Sequence, residues 1–518
     1  MSPVSCSGKP LAVDVPVNST DIKKNSGVQA VEHVDVLVVG AGLSGIGAAW
    51  HLQDRCPGKS YAIFEARDAI GGTWDLFRYP GIRSDSDMHT LGYRFRPWTD
   101  AKAIADGPAI RRYVGDTARE AGIDQNIRFH HRVLSVSWST AEALWTAVAD
   151  HDGQTVTITA SFVFFCSGYY SYDEAHRPSW EGEGGFKGQI VHPQFWPKDL
   201  DYIDKRVVVI GSGATAVTIV PEMAKTAAHV TMLQRSPTYV VSRPGEDSIA
   251  NLLRRFLPAG AAYAITRWKN VLFQLFFFRM ARKSPAKVKE RLIGMVSNEL
   301  GPDYDVGTHF TPSYNPWDQR LCLVPDADLF TSLKSGKSSV VTDQIAQFTA
   351  DGIELKSGRV LAADIVVTAT GLKLNILGSV AVLVDGVTID PSKELTYKGM
   401  MLSDVPNAAF AFGYTNASWT LKADLTSEFV CRTLNYMDKR GMRIATPVRT
   451  DPSMCEEPYL DFSSGYVQRA LDILPKQGVK APWKLNQNYA LDLMILRFGK
   501  IDDGTMRFSN PPAAKKAA

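Results

Sequence analysis

The stretch that decides the fold reads Val34-Asp35-Val36-Leu37-Val38-Val39 and continues as Gly40-Ala41-Gly42-Leu43-Ser44-Gly45. Its first half is an apolar, β-branched run of strand length, and residues 46–52 predict a helix. The three glycines permit a tight turn, a close approach of the backbone to a pyrophosphate, and close packing of helix on strand. Free N–H groups at the helix N-terminus would bind the phosphates. This order of elements predicts a dinucleotide-binding unit.

The residue at the ribose position of this unit is acidic. A second short apolar run, residues 60–64, ends at Glu65, about 20 residues past the last glycine, where a carboxylate hydrogen-bonds a ribose diol. Because a carboxylate repels a 2′-phosphate, the site favours FAD or NAD. The residues predicted here to bind FAD are Gly40, Gly42, Ser44, Gly45 and Glu65.

A second unit of the same kind begins at the apolar run 206–210, and its next strand, 229–233, ends at Gln234-Arg235-Ser236. Since Arg235 replaces the acid, and since a guanidinium offers paired N–H donors to a phosphate, this unit favours NADP(H). The alternative is a solvated arginine at the end of an edge strand. The predicted NADP-binding residues are Gly211, Ser212, Gly213, Ala214, Thr215, Ala216, Val217, Arg235 and Ser236.

Two further runs predict how the units are nested. Residues 160–166 predict a strand that leaves the first domain, and residues 364–368 predict one that returns to it. We therefore expect an α/β fold with two Rossmann-like domains, the second inserted in the first. The expected segments are a flexible N-terminal extension (1–32), the FAD-binding domain (33–175 and 364–509), the NADP-binding domain (176–363) with a helical insertion (246–312), and a flexible tail (510–518).

Composition restricts the class of protein. With 518 residues, 45% of them hydrophobic, and a net charge of +3, the chain predicts a globular protein of about three domain-sized units and no nucleic-acid partner. Residues 1–32 lack the apolar core of a signal peptide, and the six cysteines form no CxxC pair, so a reduced, cytoplasmic protein is expected. Adjacent His130 and His131 on a predicted strand point to opposite faces, and no metal is expected.

Residues 246–300 are helix-prone, basic and rich in large apolar side chains, with a Phe-rich run at 271–278. That run is too short to span a bilayer, which needs about 20 residues. One interpretation is a helical subdomain packed over a substrate cleft. The other is a patch that dips into a membrane surface, so the protein would be cytoplasmic and either free or peripheral on a membrane.

Gly71-Gly72-Thr73-Trp74 follows the first unit. Disulfide reductases with two dinucleotide sites carry a redox-active cysteine after such a Gly-Gly-Thr, whereas this chain has Trp74 there and no cysteine until Cys166. A thiol relay is therefore excluded, and O2 is the simplest acceptor of the electrons.

Two longer strings resemble the fingerprints of the type I Baeyer–Villiger monooxygenases, which are class B flavoprotein monooxygenases. The first combines Gly71-Gly72-x-Trp74 with Tyr79-Pro80-Gly81 and Asp85; the second combines Phe186, Gly188 and His192 with Trp196-Pro197. Related N- and S-oxygenating enzymes usually end the second string in Tyr or Phe. Further strings are similar to the ethionamide-activating branch, and the resemblance covers roughly residues 32–509; these strings are 78–88, 314–322 and 413–422.

The resemblance implies FAD and NADPH as cofactors and a small-molecule ketone or sulfide, with O2, as substrates. One oxygen atom would be inserted into the ketone through a C4a-peroxyflavin, giving an ester or lactone, and sulfoxidation is expected as well. The alternative is a flavin-dependent S- or N-oxygenase of sulfides, thioamides or amines. A rival from another class is a membrane-surface redox or sensor protein without turnover.

The resemblance also implies residue roles. Arg320 would keep the peroxide anionic and polarise the ketone, and Asp85 would hold that guanidinium in place. The alternatives are an ion pair of Arg320 with Asp318 and an N-cap role for Asp85. His192 would lie on the linker between domains and shape NADPH use. The other implied contacts are Thr73, Trp74, Asp75, Leu76, Asp85 and Val133 for FAD, and Arg83 and Ser84 for NADP.

Overall fold

The computed structural model describes residues 31–460 and 462–512. The first segment of the chain forms the amino-terminal part of the first dinucleotide domain. Its strands are β1 (Glu32–Val39), β2 (Tyr61–Phe64), β3 (Ile127–Arg128), β4 (His131–Ser139), β5 (Leu144–His151), β6 (Gln154–Phe165) and β7 (Tyr170–Ala175), and its helices are α1 (Leu43–Arg55), α2 (Thr73–Leu76), α3 (Met88–Leu91) and α4 (Gly107–Glu120).

The middle segment forms the second dinucleotide domain and the helical insertion. Its strands are β8 (Gln189–Val191), β9 (Arg206–Ile210), β10 (His229–Gln234), β11 (Val240–Arg243), β12 (Cys322–Pro325), β13 (Ser338–Thr342), β14 (Ile345–Thr349), β15 (Gly352–Leu355), β16 (Val360–Ala362) and β17 (Ile365–Thr368), and its helices are α5 (Ala214–Met223), α6 (Ser248–Phe256), α7 (Ala259–Lys283), α8 (Pro285–Leu300), α9 (Val306–Phe310) and α10 (Asp328–Lys334).

The last segment returns to the first domain. Its strands are β18 (Leu372–Leu374), β19 (Ala381–Val384), β20 (Val387–Thr388), β21 (Thr396–Tyr397), β22 (Met401–Leu402), β23 (Ala408–Phe410), β24 (Ile444–Pro447), β25 (Glu456–Pro458), β26 (Lys476–Gly478) and β27 (Met506–Ser509), and its helices are α11 (Trp419–Arg440), α12 (Gly465–Gln468) and α13 (Tyr489–Leu493).

The first sheet is built around β1, which pairs in parallel with β2 on one side and β6 on the other. Strand order is β20-β19-β4-β5-β6-β1-β2-β3, and β23 continues along the carboxyl-terminal part of β6. Val36, Leu37 and Val38 are completely buried, because helices and loops cover both faces of a parallel sheet. The apolar run at 34–39 is thus the central strand of the fold.

The second sheet has the order β13-β10-β9-β17-β8, and all its pairs are parallel. Strand β17 lies between β9 and β8, so it belongs to the inserted domain. The predicted return to the first domain at residue 364 is therefore wrong, and the chain returns only after Thr368. Periodicity could not show this, because β17 is wholly buried and apolar and would suit either sheet. The nested order of two Rossmann-like domains is confirmed.

The helical insertion is fastened to the first domain by a buried arginine of α7. Nη1 of Arg267 donates to the carbonyl oxygens of His89 and Gly92, both at 2.8 Å. Nη2 lies 3.6 Å from the carboxylate of Asp424, which Nε2 of His51 approaches at 3.3 Å. A buried guanidinium that satisfies both a loop and a carboxylate fixes where α7 lies over the first domain.

The structure describes only part of each end that the sequence predicts to be flexible. Residues 1–30 of the expected extension lie outside the described residues, but β1 already begins at Glu32. In the expected tail, residues 513–518 lie outside them as well, whereas the side chain of Asn510 bonds the backbone of Gly441 and Arg443. The prediction of His130 on a strand is wrong: β4 begins at His131, and His130 has φ of 57°.

We expect Arg267→Met to lower the free energy of unfolding by about 3 kcal/mol, because it leaves Asp424 and a loop of carbonyls without their cation. Urea unfolding measures this loss. The matched control is Arg282→Met on the same helix, whose half-exposed side chain pairs with Asp318 at 3.1 Å. That pair should be worth less than about 1 kcal/mol. Equal losses in the two variants would contradict the anchoring role.

Candidate functional site

A cavity of about 1300 Å³ lies at the carboxyl ends of the central strands of both sheets. Open parallel sheets bind ligands at this edge, where the strand order reverses. The glycine loops of the two domains line the cavity, and so does the inner side of α7. The predicted residues on its wall are Gly40, Gly42, Ser44, Glu65, Thr73, Trp74, Arg83, Ser84, Asp85, Val133, Ser212, Gly213, Ala214, Thr215, Arg235 and Arg320.

The first glycine loop packs closely against the helix that follows it. A Cβ at Gly45 would lie 1.9 Å from the carbonyl oxygen of Gly40, so the helix can pack on the loop only with glycine there. Helix α1 begins at Gly42 without a side-chain cap, so its first N–H groups face the cavity unused. The loop thus fits the pyrophosphate of a dinucleotide.

Glu65 lies at the carboxyl end of β2 and is buried beside this loop. Its Oε2 accepts a hydrogen bond from the N–H of Ala41 at 2.7 Å, and Oε1 accepts one from the N–H of Arg67 at 3.0 Å. Burial raises the pKa of the Glu65 carboxyl. Each carboxylate oxygen keeps a further lone pair for a ribose hydroxyl, as the sequence predicts.

The short helix α2 divides the residues predicted around the flavin. Thr73 and Trp74 line the cavity, but Asp75 and Leu76 do not. The buried Asp75 carboxylate instead pairs with three arginines, at 2.6 Å from Arg67, 3.0 Å from Arg111 and 3.2 Å from Arg78. The side chain of Asp75 is thus engaged by arginines, and the expected contacts of Asp75 and Leu76 with FAD stay predictions.

The sequence did not single out the aromatic residues beside the first loop. The Oγ of Ser44 accepts a hydrogen bond from Nε1 of Trp419 at 2.8 Å. Trp419 stacks on Tyr169 with ring centroids 4.9 Å apart, and the hydroxyl of Tyr170 donates to that of Tyr169 at 3.0 Å. The string 413–422 contains Trp419, and the two tyrosines follow the predicted strand 160–166, but only the tertiary fold brings them together.

The second loop has the same design. Gly211 has φ of 138°, and a Cβ there would lie 2.4 Å from the carbonyl oxygen of Ala369. Helix α5 begins after Gly213 without a side-chain cap, and Ser212, Gly213, Ala214 and Thr215 line the cavity. Ala216 and Val217 are completely buried, so they pack the helix on the sheet instead of facing a ligand.

Arg235 follows β10 and points into the cavity. Among the described residues, no carboxylate or hydrogen-bond acceptor engages its guanidinium. Strand β10 lies between β9 and β13, so the alternative is wrong about the edge strand, although the side chain of Arg235 is exposed. Ser236 does not line the cavity, and its carbonyl accepts a hydrogen bond from Oγ of Ser212 at 3.1 Å. Of the two residues predicted after β10, only Arg235 lines the cavity.

Arg83 and Ser84 line the cavity between the two domains. The guanidinium of Arg83 pairs with both oxygens of Asp328 at the start of α10, with Nη2 3.3 Å from Oδ1. This ion pair ties the first domain to the second. Ser84 is buried, and its N–H donates to the carbonyl of Ala105 at 2.9 Å.

Arg320 and Asp85 meet inside the cavity, where Nη1 of the guanidinium bonds Oδ2 of the carboxylate. The alternative pairing with Asp318 is wrong, because that carboxylate lies beside Arg282. The N-cap alternative for Asp85 is also wrong, because Asp87 accepts the hydrogen bond from the N–H of Thr90 at the start of α3. The resemblance placed this pair correctly.

The Arg320 guanidinium is a permanent cation. The neighbouring Asp85 carboxylate raises its pKa further above the ordinary arginine value. Cys322, two residues on, stays a thiol because burial raises its pKa to about 12. Burial likewise raises the pKa of Cys166 on the cavity wall and keeps it protonated. The cavity therefore holds a permanent cation, Arg320, paired with Asp85, and two neutral thiols.

His192 lies outside the cavity wall, where it begins the short helical turn Pro193–Phe195. Its Nδ1 accepts a hydrogen bond from the N–H of Gln194 at 3.1 Å, and burial lowers the pKa of the imidazole to about 4. The ring is therefore neutral at physiological pH. His192 follows β8 of the second sheet, and its influence on NADPH use stays a prediction.

The chain resembles known proteins in both sequence and fold. The flavin-binding monooxygenase-like family model matches residues 100–256, and an NAD(P)-binding Rossmann-like domain model matches residues 38–106. FAD-containing monooxygenase EthA of Mycobacterium tuberculosis is 57% identical over 93% of this chain and 99% of that protein. The probable FAD-binding monooxygenase AlmA of Acinetobacter baylyi is 48% identical over 92% and 96%.

The chain belongs to the FAD-containing monooxygenases. Within this family it falls in the ethionamide-activating branch of the type I Baeyer–Villiger monooxygenases, and EthA of Mycolicibacterium smegmatis is 54% identical over 94% of the chain and 99% of that relative. It is accordingly an NADPH-dependent flavin monooxygenase with FAD as its cofactor.

Solved structures share the fold of this monooxygenase. The oxidised steroid monooxygenase bound to NADP has a TM-score of 0.75 at 20% identity, covering 92% of this chain and 100% of that one. Cyclohexanone monooxygenase with bound ε-caprolactone has a TM-score of 0.72 at 20% identity, with the same coverage. At this identity the likeness shows the fold alone.

We expect Arg235→Ala to weaken NADPH binding by about 10- to 100-fold, because charge-assisted hydrogen bonds to a phosphate are worth about 1.5–3 kcal/mol. Binding of NADH should not change. Titration of the oxidised enzyme with NADP+ and NAD+ measures both constants. The control is Arg206→Ala. Arg206 is the first residue of β9, does not line the cavity, and pairs with Asp364. Equal affinity of the wild type for both nucleotides would refute the role of Arg235.

Proposed function

We propose that this monooxygenase inserts one oxygen atom from O2 into ketones to give esters or lactones, with NADPH as the electron donor. The observation that supports this proposal is the Arg320–Asp85 pair, which lies on the wall of the same cavity as both glycine loops. A fixed cation beside the reacting centre suits a reaction in which negative charge develops on oxygen. FAD, when bound and reduced, supplies the activation of O2.

The residues of this chain have two kinds of proposed role, binding of the cofactors and stabilisation of negative charge. The loop around Gly42 and the buried Glu65 would hold FAD, and the loop around Gly213 together with Arg235 would hold NADPH. Arg320 would stabilise negative charge on the attacking oxygen and on the ketone oxygen at any working pH. Asp85 would orient the guanidinium and keep it from turning toward solvent.

The protonation of the thiols in the cavity argues against electron transfer through a thiol relay. Cys166 and Cys322 line the cavity, but burial raises the pKa of both thiols, and both cysteines are free. A protonated thiol is a poor nucleophile. This supports transfer of electrons to oxygen instead of to a disulfide.

The inner side of α7 favours an apolar substrate. Phe273, Phe276 and Phe277 line the cavity, with Met280 one turn further on. Long-chain or aryl-alkyl ketones fit such a wall because burial of hydrocarbon is favourable at about 25 cal/mol per Å². Sulfides of similar shape would bind as well, so we propose sulfoxidation as a second activity.

We also propose peripheral contact with a membrane surface. Among the described residues, no helix is long and apolar enough to cross a bilayer. The support lies in the sequence of α6 and α7, residues 248–283, which contains seven arginines and lysines and no acidic residue. A helix pair of this composition, with exposed apolar side chains, is typical of contact with a lipid surface.

We expect Arg320→Ala to consume NADPH and release hydrogen peroxide while ester formation falls by about 100- to 1,000-fold, the usual cost of losing one donor to a developing oxyanion. Gas chromatography of the products from phenylacetone, together with a peroxide assay, measures both. Arg320→Lys keeps the charge but not the paired donors, and should recover part of the ester.

The control for this prediction is Arg282→Ala, which removes an exposed arginine that pairs with Asp318 outside the proposed centre. It should leave ester formation near the wild-type rate. Ester formation by Arg320→Ala at the wild-type rate would refute the role of Arg320. Oxidation of methyl phenyl sulfide alone by the wild type would favour the S-oxygenase.

A further inference from the structure

The helical insertion and the carboxyl-terminal segment expose large apolar side chains that no described residue covers. We call this set the apolar face. Its members share high exposure, from 42% for Trp268 to 78% for Phe256. They are Ile249, Leu252 and Phe256 of α6, Ile265, Trp268, Leu272 and Phe276 of α7, and Leu491, Met494 and Phe498 after β26.

The spacing of these residues gives each segment one apolar side. Steps of three or four residues place the members of each helical segment on one side of it. The buried side of α6 is marked by Ala250, and that of α7 by Thr266 and Val271. The ring of Trp268 lies 5.8 Å from that of Tyr489, so the carboxyl-terminal segment packs beside α7. Three neighbouring segments therefore each expose an apolar side, and we treat these sides together as one surface.

The charged residues within α6 and α7 are all basic. Arg279 and Lys283 continue the stripe of Phe276 along α7, and Arg255 precedes Phe256. All three are exposed, and among the described residues none has a carboxylate within ion-pair distance. The other basic residues of α7 are engaged: Arg267 is buried, Lys269 pairs with Asp247, and Arg282 pairs with Asp318.

The apolar face also surrounds an opening of the cavity. Ile249, Phe273 and Phe276 line the cavity, yet 52%, 48% and 64% of these side chains are exposed. A side chain that belongs to both surfaces stands at the edge between them. The cavity that contains Arg320 thus reaches the surface between α6 and α7, within the patch of apolar side chains.

We propose that the apolar face docks on an anionic lipid bilayer and that lipophilic ketones enter the cavity directly from it. This inference rests on the proposed ketone oxygenation and adds the route by which a lipophilic ketone reaches the cavity. Apolar side chains would enter the boundary between headgroups and acyl chains, while Arg255, Arg279 and Lys283 would contact lipid phosphates. A substrate dissolved in the bilayer then reaches Phe276 without crossing water.

Charge argues for a bilayer over a second copy of the chain. In a two-fold dimer the apolar face of one copy would pack on the apolar face of the other. The unpaired cations of both copies would then lie in one interface. Anionic lipids instead attract each exposed cation near the surface. The two arrangements also differ in their dependence on lipid charge, which makes them separable by experiment.

The first experiment is flotation of the FAD-loaded enzyme with vesicles. We expect binding to vesicles that contain phosphatidylglycerol and weaker binding to pure phosphatidylcholine. The double variant Phe256→Glu/Leu272→Glu should lose at least about tenfold in affinity, because it removes apolar anchors and adds charges that anionic lipids repel. The matched control is Val387→Glu, 66% exposed on β20 in the sheet of the first domain, which should float like the wild type.

The second experiment measures kcat/KM for two ketones. With 2-dodecanone delivered in anionic vesicles, the double variant should lose at least about tenfold, in parallel with binding. With phenylacetone in buffer it should match the wild type, because neither substituted residue lines the cavity. This second value also shows that the variant is folded and loaded with FAD.

The outcomes separate the two proposals. If the wild type makes ester but does not float, or if the double variant keeps its activity on 2-dodecanone in vesicles, the docking proposal is wrong and ketone oxygenation stands. If the double variant converts an oligomer to a monomer without changing flotation, a second copy covers the face and the proposal is also wrong. If no ketone yields ester, the proposed function fails, while flotation still tests the surface.

Discussion

The ion pair between Arg320 and Asp85 is the interaction on which the rest of the arrangement depends. Asp85 comes from the loop after the first glycine motif, and Arg320 comes from the chain between the helical insertion and β12. The two residues can meet only if both domains and the insertion are in place. The Arg83–Asp328 pair joins the same two domains nearby. Interdomain contacts therefore determine where the charge of the cavity lies.

Two further features of the fold complete the cavity around Arg320. Uncapped helix starts at both glycine loops leave backbone donors for phosphates, so two dinucleotides can converge on one cavity without competing for Arg320. Arg267 holds α7 against the first domain, and α7 then supplies the aromatic wall. The insertion consequently serves as part of the first domain's cavity, although its residues lie within the second domain in sequence.

Local patterns predicted much of this arrangement. The strand at 206–210 agrees with β9 at both ends, and the glycine loops, Glu65 and Arg235 lie where the motif spacing indicates. These features depend on the geometry of one βαβ unit, which sequence specifies locally. The Arg320–Asp85 pair, separated by 235 residues, came from family resemblance, because spacing alone could not bring those residues together.

The features that the sequence did not predict are those that depend on tertiary structure. Strand β17 is apolar on both faces, so its sheet could not be deduced from its sequence. Asp75 follows Trp74 directly in the sequence, and only the tertiary structure shows that its carboxylate pairs with Arg67, Arg78 and Arg111. The stacking of Trp419 on Tyr169 joins residues 250 positions apart. Such contacts depend on how the two ends of the first domain close around the second.

The most direct test of the central claim is isotope incorporation from molecular oxygen. The FAD-loaded enzyme would be given NADPH and 2-dodecanone under ¹⁸O2, and the products would be analysed by mass spectrometry. The account predicts an ester that contains one ¹⁸O atom, formed in proportion to the NADPH consumed. Consumption of NADPH with labelled hydrogen peroxide as the only product, from ketones of every chain length tried, would contradict it.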